Sequence, residues 1–177
     1  MAISMNELIN IISERLEGFF KDELDIIVDD REKGIIPMHR LGLRYLTTVI
    51  NISGSININV IFSYEKRLIE KIFEIYTEDV EILPEERLEY IEETAGDIIN
   101  IIVGNSTADF ESSSSLTLSP PIMISEAKSI AKSKTSEFFV NHLHTSYGTM
   151  TIFCVGPKNV TEGFVLPECE DKNLEEN

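Results

Sequence analysis

The chain has 177 residues, of which 15 are basic and 31 acidic, so its formal net charge is −16 at pH 7. This balance argues against binding to nucleic acid or to an anionic membrane surface, because both need clustered lysines and arginines. Hydrophobic residues make up 42% of the chain, which predicts a globular domain with its own core. Acidic residues interrupt the N-terminal apolar pattern, so we expect a cytoplasmic protein in which Cys154 and Cys169 are free thiols.

The N-terminal region predicts an amphipathic helix over residues 4–21. Apolar residues recur there at helical spacing, and polar residues lie opposite them. Ser4 and Glu7 have the spacing of a capping box, which would mark where the helix begins. The following region is less regular, and it predicts a short strand at 26–28 and then a charged turn that ends at Gly34.

The apolar period changes from helical to alternating after residue 44. Residues 46–52 and 56–62 predict a β-hairpin with its apolar side toward a core and its asparagine side toward water. A second helix is predicted over 64–76. Pro84 is expected to begin the longest helix, which continues to about Phe110. The residues of the second helix that we expect to point inward are Leu68, Ile69, Ile72, Phe73 and Tyr76.

The last third of the chain predicts mainly strands. A serine run at 112–115 indicates a solvated loop, and residues 126–135 indicate a polar turn or exposed edge. The predicted strands are 122–124, 136–145 and 149–155. We therefore expect one domain over residues 1–160 and an acidic tail over 161–177.

The order of the elements indicates the fold class. The strands come as hairpins rather than as strand–helix–strand units, which predicts a mostly antiparallel sheet. The expected fold is therefore α+β, a two-layer sandwich whose sheet is covered on one face by helices. Residues 7–12 and 97–102 are similar to each other, which suggests an internal pseudo-duplication.

The long helix carries a polar stripe opposite its apolar face. At about 100° per residue, Glu93, Asp97, Asn100 and Gly104 fall within an arc of roughly 60°. A carboxylate and a carboxamide thus stand one turn apart on the outer face, and the glycine would let another group approach the backbone closely. An acid-x-x-Asn pattern is common on solvated helices, so the spacing alone does not establish a function.

The stripe and its context resemble the CheC/CheX/FliY family of bacterial chemotaxis phosphatases, and its CheX members most. The resemblance rests on Asp97-Ile98-Ile99-Asn100, on Gly104, on the downstream Ser119-Pro120-Pro121 and on the order of helices and hairpins. It implies a phosphatase that dephosphorylates a CheY-like response regulator. In that reaction Asn100 would position the attacking water and Asp97 would pair with a lysine of the regulator.

The resemblance also implies the partners and the cofactor. The chain would bind no cofactor itself, Mg²⁺ would be carried by the regulator, and the chain would form a homodimer. Glu93 and Gly104 would help to bind the regulator. The family usually has glutamate where this chain has Asp97, so the alternative is a non-catalytic module that docks a receiver domain or a signalling partner.

Two further groups of residues are candidate sites. Glu7 and Asn10 repeat the acid-x-x-Asn pattern on the first helix and form a second, weaker candidate. His142 and His144 share one face of a predicted strand and could bind zinc, but no third ligand is evident, so no metal site is predicted.

Overall fold

The chain is described by a computed structural model over residues 4–35, 40–108, 116–125, 128–131 and 135–157. The described residues form helices α1 (Met5–Leu24), α2 (Lys66–Tyr76) and α3 (Arg87–Ala108). The described strands are β1 (Val28–Ile35), β2 (Arg40–Gly42), β3 (Leu46–Gly54), β4 (Ile58–Tyr64), β5 (Leu116–Leu118), β6 (Ile122–Ile124), β7 (Ser129–Ala131), β8 (Ser136–Thr145) and β9 (Gly148–Pro157). None of the described helices is long and apolar enough to cross a membrane.

The main sheet has the strand order β1-β8-β9-β4-β3-β5, with β6 also paired to β3, and every pairing is antiparallel. This confirms the predicted α+β fold. Exchanging β1 with β5 and β6, β3 with β8, and β4 with β9 reverses the strand order but leaves it otherwise unchanged. The topology therefore has the internal two-fold relation that the similarity between residues 7–12 and 97–102 suggested.

The three helices pack on one face of the sheet and form the main core with it. The opposite face carries a second, smaller cluster of buried apolar residues, over which the two-stranded sheet of β2 and β7 contributes Leu41 and Ile130. Water was expected on that face. The expectation holds for Asn57, which is exposed just before β4 begins, but Ile61 of β4 is buried.

Helix α1 begins where its sequence predicted. The Ser4 hydroxyl accepts a hydrogen bond from the Glu7 backbone N–H at 3.2 Å, and the Glu7 carboxylate accepts one from the Ser4 N–H at 2.8 Å. These two bonds satisfy backbone donors that a helix start otherwise leaves unpaired. Asp25 caps the C-terminal end of the helix, and its φ of 52° lies in the left-handed region.

Two predicted boundaries were wrong. The charged turn ending at Gly34 is part of β1, which pairs with β8 along the edge of the sheet, where charged side chains can remain in water. Helix α3 begins at Arg87 rather than at Pro84, because residues 84–86 form a turn in which the Glu86 N–H donates to the Leu83 carbonyl oxygen at 3.0 Å.

The other differences concern side-chain exposure and short strands. Tyr76 was expected to point inward but is 37% exposed, because it is the last residue of α2 and lies at the rim of the helix layer. Part of the polar segment 126–135 forms β7, which pairs with β2. The serine run 112–115, the domain boundary at 160 and the tail 161–177 lie outside the described residues.

A buried polar pair joins α1 to β8 inside the core. The Asn141 side-chain amide donates to the Ser13 hydroxyl at 2.7 Å, and that hydroxyl donates to the Ile9 carbonyl oxygen at 2.7 Å. Both side chains are at most 2% exposed. Neither group can reach water, so the Asn141 amide depends on the Ser13 hydroxyl as its acceptor.

We predict that Ser13→Ala lowers the free energy of unfolding by about 1–3 kcal/mol, because it leaves the Asn141 amide buried without its acceptor. Adding Asn141→Leu should recover part of that loss, since both polar groups are then gone. Urea unfolding of the parent, the two single variants and the double variant measures the coupling. Strictly additive losses would contradict the interdependence of the pair.

Candidate functional site

The exposed stripe of α3 is formed as the sequence predicted. Glu93, Asp97 and Asn100 are exposed and Gly104 is half-buried. Among the described residues, no hydrogen bond or ion pair involves the side chain of Asp97 or of Asn100, so both side chains remain available to a partner. The residues on the inner face of the helix are at most 3% exposed; they are Ile91, Ala95, Ile98, Ile99 and Ile102.

The proline segment between β5 and β6 runs beside this stripe. A Cβ atom added to Gly96 would lie 2.5 Å from the Met123 methyl carbon Cε and 3.6 Å from Pro121 Cγ. At Gly104 the nearest atom would be Leu118 Cδ1 at an ordinary 3.8 Å. The close approach that we expected at Gly104 therefore occurs at Gly96, one helical turn before Asn100. The sequence shows that Gly96 lies inside the helix, but it does not indicate that Met123 packs against it.

Hydrogen bonds hold this segment against β3. The Ser119 N–H donates to the Asn51 carbonyl oxygen at 2.9 Å, and the Ser119 hydroxyl accepts from the Asn51 N–H at 3.0 Å. Pro120 and Pro121 follow directly, and proline fixes the backbone φ angle. One side of the stripe is thus bounded by a segment whose path is set by the sheet.

Tyr76 is the last residue of α2, which packs against α3, and the sequence did not indicate this neighbour of the stripe. Its ring centroid lies 6.4 Å from that of Phe19 on α1. Burial raises the pKa of the Tyr76 phenol, and the carboxylates of Asp97 and Glu23 raise it further. The phenol is therefore close enough to Asp97 to feel its negative charge.

Carboxylates dominate the surroundings of the stripe. Between residues 78 and 97 the chain has nine acidic residues and one basic residue, Arg87. The Arg87 guanidinium lies 4.0 Å from a Glu74 oxygen and 4.7 Å from the Phe73 ring centroid. The region therefore presents a negative potential, which attracts a partner with basic groups and speeds its association.

The second candidate pair, Glu7 and Asn10, has different surroundings. The Glu7 carboxylate accepts hydrogen bonds from the Ser4 N–H and hydroxyl, both at 2.8 Å, as part of the helix cap. The Asn10 side-chain oxygen is buried and has no hydrogen-bond partner among the described residues. Glu7 thus has a structural role, and a second site at this pair stays a prediction.

The two strand histidines share a face, as predicted, but they contact threonines. Their ring centroids are 6.2 Å apart. His142 Nδ1 lies 2.9 Å from the Thr151 hydroxyl, and His144 Nδ1 lies 3.0 Å from the Thr149 hydroxyl. Across the described ranges, no three His, Cys, Asp or Glu residues are grouped so that they could hold a metal ion.

Comparisons with known proteins agree with this fold. The sequence model described as "Chemotaxis phosphatase CheX" matches residues 46–144. A CheX chemotaxis protein from Desulfovibrio desulfuricans has a similar structure, with a TM-score of 0.67, 14% identity, and coverage of 84% of this chain and 97% of that one. A CheC-like superfamily protein from Shewanella sp. PV-4 is also similar, with a TM-score of 0.66 and 19% identity. That match covers 84% of this chain and 96% of the other. No curated protein sequence matches the chain.

A further similar structure is a complex. It is the CheX-CheY-BeF3-Mg²⁺ complex from Borrelia burgdorferi, whose matching chain has a TM-score of 0.65 and 15% identity. The match covers 84% of this chain and 96% of that one. At these identities the likeness shows the fold, and the residues of the stripe carry any argument about chemistry.

The hydrogen bonds to Glu7 lead to a pH-dependent prediction. They lower the pKa of its carboxyl group, with the Ser4 N–H as the main cause. A lowered pKa in the folded state means that the ionised carboxylate stabilises the fold above about pH 4.3, the ordinary pKa of glutamate. This contribution disappears as the pH falls through the folded-state pKa.

Glu7→Gln keeps the shape of the side chain and removes the charge. We expect the variant to unfold at lower urea concentration than the parent at pH 7, and the difference to shrink toward pH 3. A difference that does not change with pH would contradict this role of the charge.

Proposed function

This chain belongs to the family of the chemotaxis phosphatase CheX, and we propose that it hydrolyses the aspartyl phosphate of a CheY-like response regulator. The observation that carries the proposal is the exposed stripe of α3, on which the side chains of Asp97 and Asn100 are exposed and make no hydrogen bond or ion pair within the described ranges. The Borrelia burgdorferi complex supports the choice of partner, since it joins a protein of this fold to CheY with BeF3 and Mg²⁺.

Asn100 acts on the attacking water in this proposal. A carboxamide can accept and donate hydrogen bonds at the same time, and it stays neutral beside a phosphoryl group. Phosphoryl transfer depends mainly on positioning and on electrostatic stabilisation, so a residue that holds water in line with phosphorus contributes without acting as nucleophile or base. The regulator carries the Mg²⁺ and the phosphoryl group, and this chain supplies the geometry.

Asp97 sets the register of the docked complex. Its carboxylate would pair with a lysine of the regulator and so place Asn100, one turn further along α3, over the phosphoryl group. Aspartate is one methylene shorter than the glutamate usual in the family, so the two protein surfaces must approach more closely here. A rigid helix suits this role, because the spacing between Asp97 and Asn100 is set by the backbone.

The shorter acid also favours a second candidate function. A chain of this fold could dock a receiver domain without hydrolysing its phosphoryl group, if Asp97 cannot place Asn100 correctly. The two functions differ in turnover and agree in binding. Dephosphorylation rates of CheY, phosphorylated with acetyl phosphate, with and without this chain therefore distinguish them.

We predict that Asn100→Ala lowers the turnover number by about 100-fold, because the water loses its orienting group. The concentration of CheY that gives half-maximal rate should change little, and the fold should persist, since Asn100 is exposed.

Asn105→Ala is the matched control for this variant. Asn105 is an exposed asparagine on the same helix, and the control should retain the parent rate. If Asn100→Ala hydrolyses CheY phosphate as fast as the parent, the water-positioning role is wrong.

We predict that Asp97→Ala and Asp97→Asn weaken association with CheY by a similar amount, about 2 kcal/mol, because each leaves a partly desolvated lysine without its counter-charge. Asp97→Glu restores the missing methylene and should keep or raise the activity. Rates measured against CheY concentration for the parent and the three variants test this series. Asp29→Asn, an exposed change of the same charge on β1, is the control. Equal rates in the parent and the three Asp97 variants would mean that Asp97 is only a solvated helix residue.

A further inference from the structure

We propose that Tyr76 and Ile101 form an apolar border beside Asp97, and that this border excludes water from the contact with a lysine-bearing receiver domain. The inference rests on the proposed function and adds to it two residues that determine how tightly the partner docks. Neither residue supplies a reacting group, and both act through Asp97.

Ile101 is an apolar residue on the outer face of α3, where its exposed neighbours Asp97 and Asn100 are polar. It follows Asn100 directly and stands four residues after Asp97, so its side chain lies one helical turn from the carboxylate. Its side chain is 42% exposed. A large aliphatic group exposed beside polar functional groups is typical of surfaces that a partner covers.

Tyr76 ends α2, which packs against α3. It is 37% exposed, its ring lies against Phe19, and its phenol senses the charge of Asp97. Tyrosine combines a rigid apolar ring with one polar group, and it is enriched at the energetic centres of interfaces. Asp97 thus has an exposed aliphatic side chain one turn away on its own helix, and an exposed aromatic side chain on the neighbouring helix within the range of its charge.

The border would strengthen the ion pair in the docked complex by keeping water away from it. An ion pair that stays in water contributes little, because solvent and salt screen it. The same pair becomes stronger when apolar groups around it exclude water and lower the local dielectric constant.

The border also defines the surface that the partner must present. A lysine that pairs with Asp97 must be set among apolar side chains that can contact Tyr76 and Ile101. The carboxylates between residues 78 and 97 attract such a basic surface from a distance. A partner with an isolated, fully hydrated lysine would still be attracted by the carboxylates, but it would not form the water-excluding contact with Tyr76 and Ile101.

The test compares two double variants of the same composition. The border variant is Tyr76→Ala with Ile101→Ser. The control is Tyr45→Ala with Ile27→Ser, in which a tyrosine that is 42% exposed and an isoleucine that is 55% exposed are changed away from α3. Both pairs are at the surface, so the control accounts for the general effect of removing exposed apolar groups.

Steady-state dephosphorylation of CheY, phosphorylated with acetyl phosphate, separates binding from turnover. We expect the border variant to raise KM about tenfold and to leave kcat within about twofold of the parent, since the border contributes to docking. Raising the salt concentration to about 0.5 M should increase the KM of the border variant more than that of the parent, because its ion pair is less protected. An unchanged KM, or an equal rise in the control variant, would overturn the proposal.

Asp97→Asn provides a second measurement. If the border acts by protecting the Asp97 ion pair, the border variant should raise KM much less in the Asp97→Asn background than in the parent. The same fold-change in both backgrounds would overturn the protective role and leave only direct contacts.

The outcomes also separate this inference from the proposed function. If the parent hydrolyses CheY phosphate and the border variant has the parent KM, the border is wrong and the function stands. If the parent binds CheY activated with BeF3 but does not hydrolyse its phosphate, the function is wrong, and calorimetric binding of the border and control variants decides the border. If the parent neither hydrolyses nor binds, both are overturned.

Discussion

Burial of one face of α3 against the sheet determines where the candidate site lies. Ile98, Ile99 and Ile102 on that face are at most 3% exposed, and each buried side chain of this size contributes about 1.5–3 kcal/mol. Turning the helix by one residue, about 100°, would expose these side chains and carry Asp97 toward the core, where an unpaired carboxylate costs several kcal/mol. The core therefore fixes the direction of Asp97 and Asn100 without contacting either side chain.

The two related helices show how the position of a motif along a helix changes its role. Glu7 lies in the first turn of α1, where backbone N–H groups lack helical partners, and its carboxylate accepts the Ser4 N–H. Asp97 lies near the middle of α3, where the backbone donors are used by the helix itself. The same acid-x-x-Asn spacing thus yields a cap in one half of the fold and an exposed carboxylate in the other.

Charge and apolar surface act at different ranges around the stripe. The acidic residues between 78 and 97 set a field that extends over about a Debye length and favours basic partners in general. Tyr76 and Ile101 act only on contact, and they favour a partner whose shape fits beside Asp97. The proline segment on the other side of the helix is held by Asn51 and restricts the directions from which a partner can approach.

The sequence by itself determined the features that depend on local periodicity. Alternation predicted the hairpin of β3 and β4, and helical spacing predicted α1 and the outward stripe with Asp97 and Asn100, because an apolar face must point to a core wherever the chain leads. Only the tertiary structure decided the features that depend on distant segments. The charged residues before Gly34 form a strand because β8 offers them a partner. The approach of Met123 to Gly96 and the packing of α2, with Tyr76, against α3 depend on how separate elements meet. Such contacts join residues far apart in the chain, and no local pattern of residue types encodes them.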